Sequence, residues 1–232
     1  MTTRATEDYL KTIYALARAA ESGGVGTGAI AEALGVASPS ATNMLKRLAA
    51  AGLVEHHPRR GVTLTKDGER IALEVIRHHR LLETYLTEAL GFGWDEVHDE
   101  ADQLEHSLSE RLEARMDKAL GYPLFDPHGD PIPTAEGQLP QRPVRSLASV
   151  QVGGGGIIAR VDDRDPAKLR YLAELGLTPG AMATIVEALP FSGSRRVRIG
   201  GDPSEHLMGE ELAAAIFIWN DVRLNDHDRE AN

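Results

Sequence analysis

The chain has 232 residues, 42% of them hydrophobic and 26% charged, which is room for two or three domains of ordinary globular composition. No run of about 18 apolar residues occurs, which excludes a membrane-spanning helix. The opening MTTRATEDYL lacks the apolar stretch of a signal peptide, so a cytoplasmic protein is expected. The absence of Cys excludes disulfides, thiolate zinc sites, iron–sulfur clusters and cysteine nucleophiles.

The net charge of −10 is unevenly spread. Residues 1–75 carry 9 Lys and Arg against 8 Asp and Glu, residues 76–140 carry 5 against 14, and residues 141–232 carry 11 against 13. Four histidines, His78, His79, His98 and His106, lie within a stretch of 29 residues in this acidic middle. A nearly neutral head followed by carboxylates mixed with imidazoles fits a DNA-binding domain joined to a body that holds a divalent cation.

In chain order, Leu10, Ile13, Tyr14, Leu16 and Ala17 have helical spacing, so the first 20 residues read as a helix that the glycines at 23–28 break. Two short helices follow at about 27–34 and 38–51, with Gly35 and Val36 between them and Gly52 as the stop. LVEHHPRRGVTLT then reads as a hairpin turning at 58–61. Helix, helix–turn–helix and hairpin within about 65 residues is the order of a winged helix. The spacing predicts long helices over about 67–90 and 95–120. The proline-rich, aperiodic stretch 125–143 follows as an ordered connection running into a linker. After that the short runs IIARV, MATIVEAL, RRVRIG and AAIFIW, with one helix over 166–175, read as a small β-barrel. The expected domains are 1–74, a winged helix-turn-helix; 75–140, a helical dimerisation and metal-binding domain; 141–150, a linker; and 151–225, the β domain.

On the second short helix, Ala41, Leu45 and Leu48 face inward and leave Ser38, Pro39, Ser40, Thr42, Asn43, Lys46 and Arg47 at its N-terminus and outer side. Small polar side chains there can approach base edges, Asn43 can pair an adenine edge, and the helix N-terminus favours a phosphate. Lys46, Arg47, Arg59 and Arg60 are placed to reach phosphates. A helix pair used only for packing is the competing reading. The near-neutral charge implies modest non-specific affinity and hence a dimer on two half-sites.

On the predicted helix over 95–120, His98, Asp102, Glu105 and His106 stand at i, i+4, i+7 and i+8 and so share one stripe. Beside it runs an apolar stripe of Val97, Ala101, Leu104, Leu108 and Leu112. His79 and Glu83 are an i, i+4 pair on the preceding helix, and Glu7 and Asp8 precede the apolar face of the first helix. Converging oxygen and imidazole donors without sulfur suit Mn²⁺ or Fe²⁺. Solvated helix faces are the plain alternative. His78 points about 100° away from His79 and reads as a surface residue. His56, His57, His128, His206 and His227 carry no functional expectation.

The segments TEDYLKTIY, IAEALGVASPSATNMLKRL, LVEHHPRRGVTLT, RHHRLLETYL, VHDEADQLEH and PHGDPIP stand in the order and spacing of the diphtheria toxin repressor family of metal-activated repressors. The chain resembles that family over about 4–140 and, more loosely, over 144–220, which looks like the SH3-like, FeoA-type domain of its longer members. The resemblance implies a mainly α protein with a small β domain, a homodimer that binds a palindromic operator when Mn²⁺ or Fe²⁺ is bound and controls metal-uptake genes. It implies neither a membrane nor a small-molecule substrate. It assigns a primary metal site to Asp8, Asp102, Glu105 and His106, an ancillary site to His79, Glu83 and His98, and DNA contacts to Ala37, Pro39, Ser40, Thr42 and Asn43. Asp162, Asp163 and Asp165 are the nearby candidates for a third-domain ligand.

Two departures bear on the metal. The family's iron branch has Met where this chain has Asp8 and Cys where it has Asp102, so the exchange of sulfur for carboxylate resembles the manganese branch and favours a hard ion. The short manganese regulators have Glu where this chain has Lys11, whereas His98 and the third domain resemble the long iron-type proteins. An iron-selective regulator is therefore the nearest alternative. A metalloenzyme and a metal buffer are the rivals from other classes. No H-E-x-x-H occurs, and the donors leave no obvious base or nucleophile outside the ligand set.

Overall fold

A computed structural model describes residues 2–19, 24–57, 60–162, 164–190, 192–201 and 204–219. Arg59 and Asp163, named above as candidates, lie outside the described residues, as does the end of the expected β domain at 220–225. The chain divides into two compact units: Met1–Leu82 with Asp102–Arg115 and Pro133–Leu139, and Glu83–Ala101 with Met116–Ile132 and Pro140–Asn232.

In the first unit, α1 (Arg4–Ala19), α2 (Thr27–Ala33), α3 (Ser38–Ala50) and the hairpin β1 (Val54–His57) and β2 (Gly61–Leu64) form the expected winged helix. Leu10, Ile13, Ile30, Ala41, Leu45, Leu48 and Val62 meet in its core, and the register runs from Val54 opposite Leu64 to His57 opposite Gly61. Val25 adds a bridge to Val62, with N–H donated in each direction at 2.9 and 2.8 Å. That bridge explains a glycine of the wing: Gly61 has φ +90°, and a Cβ there would stand 2.3 Å from the Val25 carbonyl oxygen. After the hairpin comes α4 (Lys66–Leu90).

The single helix expected over 95–120 is broken. α5 (Val97–Leu104) passes into a 3₁₀ turn over Glu105–Ser107, Leu108 is extended, and α6 runs over Glu110–Ala119. The break has a local cause, because the Ser109 hydroxyl accepts from Leu112 N–H at 3.3 Å and starts α6 afresh. The proposed apolar stripe breaks with it: Val97 and Ala101 are buried, whereas Leu104 and Leu112 are exposed.

In the second unit, six strands form one antiparallel sheet: β3 (Arg145–Ser146), β4 (Gly155–Val161), β5 (Met182–Ala188), β6 (Arg195–Ile199), β7 (Glu205–Met208) and β8 (Ile216–Trp219), ordered β3-β8-β4-β5-β6-β7. α7 (Pro166–Glu174) and α8 (Glu210–Ala214) accompany them. Alternate residues such as Ile158, Ile185, Val197 and Ile218 share the core with Leu169 and Leu172 of α7. The expected linker at 141–150 is corrected here. Arg145 and Ser146 pair with Ile218 and Phe217, and Leu147 and Val150 are core residues, so the β domain starts before 151. A two-residue strand and a 3₁₀ turn leave no periodic trace.

Gly61→Ala is expected to cost about 2–4 kcal/mol, because a left-handed backbone and a backbone clash coincide. Gly28→Ala, exposed in α2 with nothing near the added carbon, should be neutral or slightly stabilising. Urea unfolding of the two variants beside the wild type checks this.

Candidate metal centre and nucleic-acid interface

Three elements of the first unit deliver the polar cluster. α1 supplies Glu7, Asp8 and Lys11, α4 supplies His78 and His79, and the end of α5 with its 3₁₀ turn supplies Asp102, Glu105 and His106. His106 Nε2 lies 2.8 Å from Asp8 Oδ1 and 3.3 Å from Glu105 Oε1. Its other nitrogen, Nδ1, lies 2.6 Å from Glu7 Oε2. A carboxylate on the far side of an imidazole fixes its orientation and raises the basicity of the nitrogen turned to a metal. Glu7 therefore has a role that spacing alone did not reveal.

Glu105 is the centre of the cluster and is only 2% exposed. Its Oε2 lies 2.6 Å from His79 Nδ1 and accepts from Lys11 Nζ at 2.7 Å. Lys11 also donates to Asp102 Oδ1 at 2.9 Å, and its Nζ is 3.1 Å from His79 Nδ1. Burial alone would raise the carboxyl pKa of Asp102 and of Glu105, but hydrogen bonds from His79 and the Lys11 charge outweigh it and hold both below the usual range. Two triads thus have ligand atoms within 4.8 Å of one another, Asp8–Glu105–His106 and His79–Asp102–Glu105. Donors on one first-row divalent ion lie about 2.0–2.2 Å from it, so both triads are close to ligand spacing. The donors are all oxygen or imidazole nitrogen, which fits Mn²⁺ or Fe²⁺.

His78, expected at the surface, is buried. Its ring nitrogens lie 3.1 Å from the Glu105 backbone oxygen and 3.1 Å from Glu113 Oε2. Glu113 also receives Arg77, which donates to the Pro133 carbonyl at 2.7 Å. The His78 hydrogen bond and Arg77 keep the Glu113 pKa low against its burial. Burial would lower the His78 pKa, but the bond and charge of Glu113 raise it. The break in the helix at 105–109 is what brings α6 and Glu113 to this place.

The four-residue stripe predicted for His98, Asp102, Glu105 and His106 is divided. Glu105 and His106 leave the α-helical geometry, and His98 instead lies 3.2 Å from Glu83 Oε1 in the second unit. Glu83 is fully buried, and its Oε2 is 3.7 Å from Nδ1 of the fully buried His128. His128 Nε2 lies 2.6 Å from the Trp94 carbonyl oxygen, and its backbone oxygen accepts Val161 N–H of β4 at 2.9 Å. Asp126 Oδ1 turns the loop by accepting from His128 and Asp130 N–H, each at 2.9 Å. Gly129 lets the loop approach, since a Cβ there would lie 1.9 Å from the Ala159 oxygen. Burial would lower the His128 pKa, yet Glu83 outweighs it, with Asp126 and the Trp94 carbonyl, and raises the value to about 9. His128 carried no periodicity that could have singled it out.

Asp162 is bound by Arg164, and Asp165 caps α7 by accepting from Ala167 and Lys168 N–H at 2.9 and 3.3 Å.

On the winged helix, Ala37, Ser38, Pro39, Ser40, Thr42, Asn43, Lys46 and Arg47 are all exposed, while Ala41, Met44, Leu45 and Leu48 are buried. Ala37 precedes α3 in an extended conformation and no side chain caps that end. Thr42 Oγ1 donates back to the Ser38 carbonyl at 2.9 Å. Arg60 is exposed beside the wing.

Residues 1–62 match the family model described as iron dependent repressor, N-terminal DNA binding domain, and residues 65–134 match iron dependent repressor, metal binding and dimerisation domain. Residues 145–219 match the FeoA domain. The iron-dependent repressor IdeR of Mycobacterium tuberculosis is 40% identical over 130 residues. That match spans 55% of this chain and 55% of the relative, about half its length. A diphtheria toxin repressor of Corynebacterium jeikeium is 33% identical over 92% of this chain and 95% of its own length. A manganese-dependent transcriptional repressor solved in complex with manganese is similar with a TM-score of 0.86 and 42% identity, covering 93% of this chain and 100% of that one.

The raised His128 value has a consequence for the metal-free protein. An unfolded imidazole titrates near 6.5, so the stabilisation of charged His128 is fully present below that pH and is lost as pH rises through about 9. Urea unfolding in chelator should show a decline over this window on the order of 3 kcal/mol. His128→Gln should lower stability at pH 6 and flatten the decline.

Proposed function

Because the chain belongs to the iron-dependent repressor family, one diphtheria toxin repressor of which it matches along nearly its whole length, we propose that it is a DNA-binding transcriptional regulator activated by Mn²⁺, with Fe²⁺ as a second activator. The observation that carries this reading is the oxygen-and-imidazole cluster of Asp8, Glu105 and His106, with Glu7 fixing the imidazole. Asp102, which pairs with Lys11 in the metal-free cluster, completes the primary set. Glu83 and His98 form a second candidate pair in the other unit, and His79 stands with Asp102 and Glu105.

The metal supplies a divalent charge that draws these carboxylates together. The protein's part is to pass that constraint to the DNA-binding face. Asp8 belongs to the helix whose Tyr9, Leu10 and Ile13 are buried in the winged-helix core. An ion that binds one placement of α1 better must shift the population toward it, by linkage. In a homodimer, two α3 helices then meet the half-sites of a palindromic operator. Ala37, Pro39, Ser40, Thr42 and Asn43 face the bases, and Arg47, Arg59 and Arg60 the phosphates. Metal-uptake genes are the expected targets, with no small-molecule substrate. No helix of the described residues is long and apolar enough to cross a membrane, and we place the protein in the cytoplasm.

The iron-selective reading draws support from the iron-dependent relatives, and the absence of sulfur among the donors speaks against it. Operator binding titrated anaerobically with each ion separates the two.

Operator affinity is expected to rise at least 5–150-fold with Mn²⁺, the usual range of such coupling, and His106→Ala and Asp102→Ala should each remove the response. Equal affinity in chelator and in excess Mn²⁺, read by fluorescence anisotropy, would sink the activation reading. At the DNA face, Asn43→Ala should cost about 1–3 kcal/mol of specific binding, whereas Arg60→Ala should weaken all sequences alike and reduce the salt slope by about one. A changed operator preference in Arg60→Ala would contradict this division of roles.

A further inference from the structure

The two triads of the first unit share one residue. Glu105 turns Oε1 toward His106 Nε2 at 3.3 Å and Oε2 toward His79 Nδ1 at 2.6 Å. A carboxylate with one oxygen in each of two donor triads has the form of a bridge between adjacent cations, which in paired-metal sites stand about 3.5–4 Å apart. The second position already has a cation beside its donors. Lys11 Nζ contacts all three members of that triad, with Asp102 Oδ1 at 2.9 Å, Glu105 Oε2 at 2.7 Å and His79 Nδ1 at 3.1 Å.

Two of those neighbours, the Asp102 and Glu105 oxygens, accept from the ammonium, and His79 Nδ1, which donates to the Glu105 oxygen, stands beside it. Lys11 lies one helical turn beyond Asp8, and the i, i+3 spacing puts both on one face of α1. α1 thus brings a carboxylate to one position and an ammonium to the other. The Lys11 side chain is only 24% exposed and Glu105 only 2%. Expelling the ammonium would strip a buried carboxylate oxygen of a charged partner, while keeping it would set a divalent ion against a fixed positive charge. Both courses disfavour a second ion.

We propose that Lys11 is a tethered cation filling the second position of this cluster, so that the cluster takes one divalent ion, in the primary set of Asp8, Asp102, Glu105 and His106, and not a pair. Lys11 is then a specificity-determining residue. It sets the number of ions and balances part of the charge of Asp102 and Glu105 before any metal arrives. The proposal rests on the cluster being the metal site of the function proposed above.

The test counts ions without reference to DNA. The protein, as wild type, Lys11→Leu and Lys11→Glu, is titrated with Mn²⁺ alone. Bound ion is measured by equilibrium dialysis, and low-temperature electron paramagnetic resonance reports whether ions are exchange-coupled. Wild type should give only uncoupled Mn²⁺. Lys11→Leu, which removes the charge and adds no donor, should take up one further ion per protomer and show the spectrum of a coupled pair. Lys11→Glu should do so at lower Mn²⁺. A coupled pair in wild type, or no coupled pair in either variant when both are folded by circular dichroism, overturns the single-ion assignment. Wild-type uptake that His106→Ala leaves unchanged overturns instead the cluster as a metal site, and this inference with it.

Discussion

A buried carboxylate has to be compensated, and Glu105 is where the first unit meets that requirement. A carboxylate that is 2% exposed is tolerated only when charged and hydrogen-bonding partners replace the water it has lost. Here the partners come from three separate stretches: Lys11 from α1, His79 from α4 and His106 from the residue beside it. The backbone of Glu105 is held as well, through His78 and Glu113. Removing any one partner would leave charge uncompensated in a poorly solvated place, so these elements are bound to one another by electrostatic necessity as much as by apolar packing.

The same requirement connects the cluster to the winged helix. α1 presents Glu7, Asp8 and Lys11 to the cluster and Tyr9, Leu10 and Ile13 to the core. A helix is a stiff object, so a force on its polar side moves its apolar side with it. That apolar side packs in the same core as Ala41, Leu45 and Leu48 of α3, whose outer face carries the small polar side chains. A change in what Asp8 and Lys11 hold therefore has a short, packed route to the recognition helix, and the route needs no intermediate loop.

The winged helix was legible because its elements repeat at helical spacing and end at Gly35 and Gly52, which indeed take φ of +62° and +71°. The ligand types were legible for a different reason: carboxylates and imidazoles crowd an acidic segment without sulfur. What could not be read was direction. Extending one helix through 105 put His98 and His106 on one stripe, whereas the Ser109 cap ends that helix and sends them to different partners. Ser109 followed by Glu110 was the available signal, a capping serine before an acidic first turn. His78, expected at the surface on the side away from His79, is buried instead. What lies on that side is Glu113, delivered by a helix whose start had been missed. His128 sits in an aperiodic loop, so nothing local distinguishes it, and only the fold brings Glu83, Trp94 and β4 around it.

The arrangement around His106 also sets which nitrogen a metal would meet. One ring nitrogen faces Glu7 and the other faces Asp8 and Glu105, so each nitrogen has a carboxylate beside it. A divalent ion held by this cluster would take the lone pair of the nitrogen on the Asp8 side. Glu7 keeps its contact on the other side, so the ring need not turn. Lys11 holds Glu105 Oε2 while Oε1 remains on the His106 side, so an ion can join Glu105 without breaking that salt bridge. The free energy of metal binding is in that case left to act mainly on the placement of Asp8, and through it on α1.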